Sequence, residues 1–425
     1  MRTVWAVRPI FPRAGTHVSI SVRMRPMRLR LTIAVLVLLL APVAQAAAPT
    51  LPARLAKALA VPNIAPSASG AIAVDLRTFG VLFAQNADTP LLPASNEKLP
   101  LTFAALRELG PYYRFRTEVL GTGYRDGTVW VGDLVLKGYG DPTLSSRRVV
   151  DLVAQLQQQG IRRVTGRVIG DESWFDSRRV VSGWKSSFYI SESAPLSALT
   201  VDRGTAANPA LSAAVRLRAV LRGRGIAVAG AATAGRAPPD AFALATTYSA
   251  PLTEIVAWMD RESDNFVAEQ LLKTLGAEAG TGGTSAAGAT VVMRVLREAE
   301  IPVSGVRIVD GSGLSRSDRV TARALAAMLV AAWTDPDLHD VLWSALPIAG
   351  VNGTLDHRFR TGPARGTVRA KTGTTGLASA LSGYVRDRYV FAVVQNGSPI
   401  STAWARTAQD RFAQALAADA AVPVP

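Results

Sequence analysis

The sequence has no cysteine, only three histidines and only six lysines in 425 residues. Without cysteine there is no disulfide framework, no thiolate nucleophile and no Cys-ligated zinc. His17 falls in a segment expected to be removed, which leaves His339 and His357. A Ser-His-Asp triad or a multi-histidine metal site therefore has little to draw on, and chemistry without imidazole is expected. Basic runs interleaved with aromatics are also missing, so the net charge of +15 does not make a nucleic-acid footprint. Seven arginines precede residue 31 (Arg2, Arg8, Arg13, Arg23, Arg25, Arg28 and Arg30), which leaves +8 spread thinly over the rest.

What is present fits a globular chain, with 48% apolar and 19% charged residues. The length exceeds one ordinary core and calls for two domains, or one domain carrying a large insertion. At the N-terminus, Arg28 and Arg30 precede the apolar run Leu31–Leu40, followed by Pro42 and Ala44-Gln45-Ala46. This basic, apolar, small-residue order predicts a secretory signal over 1–46, cleaved after Ala46. Ten apolar residues are too few to span a bilayer, which takes about 20. Met24 or Met27 is the expected start, and a periplasmic chain without a membrane span after cleavage is the expected product.

An Ala/Pro-rich lead is read over 47–69. The alternations Ala71–Leu76 and Val81–Ala84 predict a hairpin. Helical spacing runs from Ser95 to Leu109, and residues 114–137 read as β structure turning at Asp126-Gly127. Helices are expected at Val149–Gln157 and Ala213–Leu221, with a strand at Arg163–Ile169 between them. After a linker at Pro238-Pro239-Asp240, Ser249 is the expected cap of a helix through Met259. Further helices are read at 264–275 and 287–298, strands at 369–372, 378–385 and 389–395, and a last helix at 402–417. The order predicts one α/β domain, 70–114 plus 244–418, interrupted by a β-rich inserted domain over 115–243 and followed by a 419–425 tail.

Three short motifs occur in order: Ser95-Asn-Glu-Lys98, Ser263-Asp-Asn265 and Lys371-Thr-Gly373. Ser-x-x-K alone is weak, and a second copy stands at Ser182-Gly-Trp-Lys185, where Gly183 disfavours a helix. Two of six lysines in an ordered triple is a much stronger signal. At i and i+3 on a helix, Lys98 Nζ can reach Ser95 Oγ. A serine needs a base, and a lysine serves only when its pKa is depressed, by burial or by a second cation such as Lys371. Ser263 would shuttle a proton and Asn265 position substrate. Lys371 and Thr372 can meet a carboxylate on a strand edge that an extended peptide joins, while Gly373 permits close approach. The amides of Ser95 and Thr374 would form an oxyanion hole. Competing structural readings are a helix cap at Ser95, with Lys98 solvated, and a cap at Ser263; Asp264 is read as structural.

Together with Gly138–Leu144, Asp310-Gly-Ser-Gly-Leu-Ser-Arg316 and Leu346–Leu355, these motifs resemble the penicillin-binding protein 4 type of D-alanyl-D-alanine carboxypeptidase/endopeptidase, within the active-site-serine penicillin-recognising enzymes. The resemblance implies a β-lactamase/transpeptidase-like domain, its antiparallel sheet flanked by helices. It implies Ser95 as the acylated nucleophile with Lys98 its base, and Ser263 and Asn265 in the proton network. Lys371, Thr372 and Thr374 would hold the terminal D-alanine carboxylate and acyl oxygen. It implies no metal and no cofactor, peptidoglycan stem peptides as substrate and β-lactams as inhibitors. Two features depart from it. The stretch between Lys98 and Ser263 is shorter than in the family's larger members, which bears on substrate selection. Pro100 lies inside the nucleophile helix, where proline predicts a kink that would separate Ser95 from Lys98.

The leading expectation is a serine-type D-Ala-D-Ala carboxypeptidase with DD-endopeptidase activity as a further capacity. A serine β-lactamase is the rival enzyme, but no glutamate between the second and third motifs has an asparagine four residues on. A non-catalytic penicillin-binding or sensor module is the remaining alternative.

Overall fold

The computed structural model describes residues 19–22 and 49–422. The expected signal over 1–46 lies outside the described residues apart from 19–22, as does the end of the tail, 423–425. The residues read as an Ala/Pro-rich lead form a helix, α1 (Leu51–Leu59). Pro52 sits in its first turn, where a missing N–H costs nothing, and Leu55, Ala58 and Leu59 share one buried face. Alanine carries so little hydrophobic contrast that the helical period was hidden.

The expected hairpin is β1 (Ser69–Asp75) with β2 (Gly80–Gln85). A single 3₁₀ turn at Ala94–Glu97 then leads into α2 (Lys98–Leu109). Pro100 is the third residue of α2, within the first turn, whose N–H groups have no intrahelical acceptor. The helix runs unbroken to Gly110, where φ is 81° and the N–H returns to Leu106 O. The expected kink is therefore not there.

Residues 116–248 build a second sheet by themselves. β3 (Arg116–Asp126) and β4 (Val129–Gly138) pair antiparallel around Gly127, as the Asp-Gly signal predicts. α3 (Ser146–Gln158) follows, then β5 (Arg163–Val164) and β6 (Val168–Asp171) in place of the one strand expected at 163–169. The break falls at Gly166, where a Cβ would lie 2.3 Å from both Gly132 O and Asp133 Oδ1. α4 (Pro209–Gly223), β7 (Ala227–Val228), β8 (Ala232–Ala234) and β9 (Phe242–Tyr248) complete the unit, with strand order β7-β5-β4-β3-β9 and β6 pairing β4 and β8. Leu152 and Leu156 of α3 and Leu217 and Leu221 of α4 cover Leu134, Leu136 and Val168.

The chain then becomes helical: α5 (Leu252–Glu262), α6 (Asn265–Ala279), α7 (Ser285–Glu298), α8 (Ala322–Thr334) and α9 (His339–Ala345). Ser249 does not cap α5. Its hydroxyl accepts from Phe115 N and donates to Ala250 O, and α5 starts after Pro251. α8 and α9 carry no clear period in the sequence, α8 being buried on most sides. β10 (Val368–Thr374), β11 (Ala378–Val385), β12 (Tyr389–Asn396) and α10 (Thr402–Ala420) end the fold.

The first sheet, β10-β11-β12-β1-β2, is antiparallel throughout. One face packs Phe391, Val393 and Leu381 under Leu55 of α1 and Phe412 of α10. The other packs Val390, Ala392 and Tyr384 with Phe103 of α2 and Leu329 of α8. Each fully buried Val, Leu or Phe among these contributes roughly 1.5–3 kcal/mol. The Tyr384 hydroxyl is satisfied at 2.8 Å by Leu329 O. Helices thus clamp both faces of an antiparallel sheet, the α/β architecture expected.

Candidate active site

Three elements converge between the helical layer and the edge of the first sheet. The 3₁₀ turn preceding α2 carries Ser95, half-buried, behind Ala94 at φ 47°. That left-handed alanine costs of order 1–3 kcal/mol and lifts the turn against the loop at Gly313, where a Cβ would meet Ala94 O at 1.8 Å. Lys98, the first residue of α2, is fully buried. Its Nζ lies 3.2 Å from Ser95 Oγ, 2.8 Å from Asn265 Oδ1 and 2.8 Å from the Ser312 carbonyl. The solvated first-turn lysine of the competing reading is excluded by this burial.

Ser263 and Asn265 sit at the junction of α5 and α6. Ser263 is the left-handed C-cap of α5 (φ 60°), whereas Asp264 is the N-cap of α6, accepting from Val267 N at 2.9 Å and pairing with Arg203 at 2.6 Å. The structural reading of Asp264 fits; Ser263 caps no helix N-terminus. Asn265 accepts from Lys98 through Oδ1 and donates through Nδ2 to Glu192 O at 3.2 Å.

β10 contributes the third motif from the sheet edge. Lys371 is fully buried, its Nζ 3.2 Å from Thr372 O. A Cβ on Gly373 would lie 2.8 Å from Pro93 O, so glycine lets the strand seat against the Ser95 turn. Thr375 N bonds Ala378 O on β11, whereas Ala370 N bonds Pro347 O on the other side. By antiparallel alternation, the N–H and C=O of Thr372 and Thr374 point off the open side of β10. Thr372 Oγ1 donates to Thr354 Oγ1 at 2.8 Å, and Arg406 Nη2 lies 3.5 Å from Thr374 Oγ1. Ser95, Ser263, Thr372, Thr374 and Arg406 line one cleft of about 420 Å³. A larger cavity, about 720 Å³ between α7 and residues 176–182, holds no residue of the three ordered motifs, only Ser182 of the second Ser-x-x-Lys copy.

Burial disfavours both ammonium groups. Lys98 is pushed down to about 8, with Asp310, Glu269 and Asp260 pulling the other way. Lys371 falls to about 7, by burial and then by the nearby Lys98 charge. The second-cation effect foreseen for Lys98 is thus felt by Lys371.

The rival motif does not assemble. Ser182 and Lys185 are exposed around Gly183 (φ 85°), and Lys185 Nζ lies over the Phe188 ring. Sequence reasoning missed the floor of the site. Glu97, Glu269, Asp310 and Asp318 are all buried beneath Ser95 and Lys98. Burial pushes Glu269 up to about 8, and Glu97 and Asp318 well above the ordinary carboxyl range. Asp310 accepts from Gly313 N, Ser315 N and Trp184 Nε1. The only sequence sign of this floor was an Asp-Gly-Ser-Gly run whose amides need an anion to turn around.

The D-Ala-D-Ala carboxypeptidase 3 (S13) family model matches residues 51–208 and 205–419. A D-alanyl-D-alanine carboxypeptidase of Actinomadura sp. (strain R39) is 32% identical over 79% of this chain and 79% of its own length. A carboxypeptidase of Mycobacterium tuberculosis is 34% identical over 84% of this chain and 82% of its own. In fold, the chain is similar to penicillin-binding protein 4 from Haemophilus influenzae, with TM-score 0.77, 23% identity, and 86% and 98% of the two chains covered.

Proposed function

The chain belongs to the D-Ala-D-Ala carboxypeptidase 3 (S13) family, and from that membership we propose that its reaction runs through Ser95. It is a D-Ala-D-Ala carboxypeptidase, a hydrolase acting on peptidoglycan stem peptides. The stem peptide lies along the open edge of β10 as an added strand, its terminal carboxylate toward Lys371, Thr372, Thr374 and the Arg406 guanidinium. Neutral Lys98 takes the Ser95 proton while Oγ attacks the penultimate D-alanine carbonyl. The amides of Ser95 and Thr374 hold the oxyanion. Collapse breaks the C–N bond, and the proton on Lys98 passes, by way of Ser263, to the departing D-alanine amine. Lys98 then deprotonates a water that attacks the ester, releasing the shortened peptide and restoring Ser95.

The observation that carries this reading is a fully buried lysine with Nζ 3.2 Å from a serine hydroxyl at the cleft wall. The same chemistry extends to D-alanyl cross-links as endopeptidase activity, and β-lactams acylate Ser95 as substrate mimics. The inserted domain, expected over 115–243, runs on to Tyr248 because β9 pairs with β3, and it borders the cleft through Glu192 at Asn265. The catalytic domain is the rest, with α1 (Leu51–Leu59) packed on its sheet. Among the described residues no helix is long and apolar enough to cross a membrane; export to the periplasm by residues 1–46 completes the proposal.

Fluorescent penicillin labelling of the protein and its Ser95→Ala and Ser182→Ala variants, with D-alanine release from a pentapeptide ending in D-Ala-D-Ala, tests it. Labelling and release are expected in all but Ser95→Ala. Labelling that survives Ser95→Ala overturns the nucleophile. Labelling without release favours a recognition module, and rapid loss of label favours a β-lactamase.

A further inference from the structure

We propose that Glu269 is a positioning residue for acylation: it holds the 311–312 backbone so that the Ser312 carbonyl fixes the orientation of Lys98. The inference rests on the reading of Ser95 and Lys98 given above. A neutral lysine amine has two N–H donors and one lone pair. Asn265 Oδ1 and Ser312 O, each 2.8 Å from Nζ, take both donors. The lone pair is then left for the Ser95 hydroxyl at 3.2 Å. With one acceptor lost, the amine rotates freely about Cε–Nζ and the lone pair is no longer aimed.

Helix α6 supplies both acceptors, one directly and one at a remove. Asn265 and Glu269 are four residues apart and share a face. Glu269 Oε1 accepts from Gly311 N at 3.0 Å and Ser312 N at 2.8 Å. Gly311 seats closely on α6, where a Cβ would lie 2.7 Å from Ala268 O. Asp310 accepts from Gly313 N and Ser315 N, and Asp318 from Val309 N. The loop amides therefore turn inward to carboxyls, and the Ser312 carbonyl turns out to Lys98. Glu269 itself touches neither Ser95 nor Lys98 by hydrogen bond and acts only through the loop.

The test is the second-order rate of acylation by fluorescent penicillin, across pH, in Glu269→Met and Glu269→Gln. Methionine fills the space without an acceptor, whereas glutamine keeps one oxygen for the two amides. Lys98 is faced by Asp310, Glu269, Asp260 and Asp264 and lies near Lys371 and Glu97. Loss of an ammonium acceptor favours neutral Lys98, whereas Glu269, raised to about 8 by burial, is already uncharged over most of the acid limb. Glu269→Met should therefore lower the plateau about 10- to 100-fold while its acid limb moves to lower pH. Glu269→Gln should stay within about threefold of the parent plateau. A parent rate and unmoved limb in Glu269→Met, or a glutamine variant as slow as methionine, overturns the proposal. If Glu269→Met does not fold, Glu269→Asp draws the carboxylate back by one methylene; a parent rate there overturns it equally. Labelling that persists in Ser95→Ala would instead remove the underlying reading.

Discussion

The side-chain amide of Asn96 donates to the Lys371 carbonyl at 3.0 Å, tying the residue after Ser95 to the strand that borders the cleft. Asn96 is fully buried. By the alternation along β10, Lys371 O also faces β11, so removing the amide leaves no orphan acceptor. What is lost is registration of the Ser95 turn on β10. Asn96→Ala should cost about 1–3 kcal/mol of stability but lower acylation by about tenfold or more. Urea midpoints and penicillin labelling rates measure the two effects separately.

Gly373 makes the same contact possible from the strand side. A Cβ there would lie 2.8 Å from Pro93 O, 3.1 Å from Ala94 Cβ and 3.2 Å from Asn96 Nδ2. The first of these is backbone and cannot swing aside. Gly373→Ala should lower both melting temperature and acylation rate, whereas Gly376→Ala, with open space around its Cβ position, should hold or raise the melting temperature. Equal melting temperatures for the two variants would contradict the close approach.

Acylation requires Lys98 without its proton, and burial brings its pKa to about 8. The neutral form predominates above that value, so the second-order rate of acylation, which reports the free enzyme, should climb with pH toward about pH 8. Lys98→Arg keeps a cation that does not deprotonate in this range, and should cost about 100- to 10,000-fold. A flat profile below pH 8 would mean that another group takes the serine proton.

Pro100→Ala should leave acylation unchanged, because Pro100 occupies a first-turn position whose N–H has no helical acceptor. The proline shows how far the sequence could be read. The three motifs were legible because lysine is scarce and their order is specific, and they do meet in one cleft. The kink was misjudged because the 3₁₀ turn at Ala94–Glu97 moved the start of α2 to Lys98, a detail fixed by tertiary packing at Gly313. α1 and α8 stayed hidden behind alanine, which gives little contrast between faces. The acidic floor was unreadable for a different reason. Glu97, Glu269 and the Asp310–Asp318 pair come from three separate segments, and lone acidic residues read as solvated until the fold buries them.

That floor should leave its mark on stability. Burial, followed by the nearby Asp310 charge, raises the Glu269 carboxyl from 4.5 to about 8. Between those values the folded chain holds a proton that the unfolded chain has released. Stability from this group therefore falls as pH rises from about 4.5 to 8 and is level outside that window. Lys98 and Lys371 act with the opposite sign, since their lowered pKa values add stability as pH climbs from about 7 or 8 toward 10.5. Glu97 and Asp318 slope the same way as Glu269, so the parent curve alone cannot isolate one residue. The difference between parent and Glu269→Gln can, because the other groups largely cancel in it. Urea unfolding at a series of pH values should show that difference shifting steadily in favour of Glu269→Gln from about pH 4.5 to 8. A constant difference across the window would place Glu269 as an ordinary ionised carboxylate, and the floor beneath Lys98 would then carry more negative charge than its burial allows.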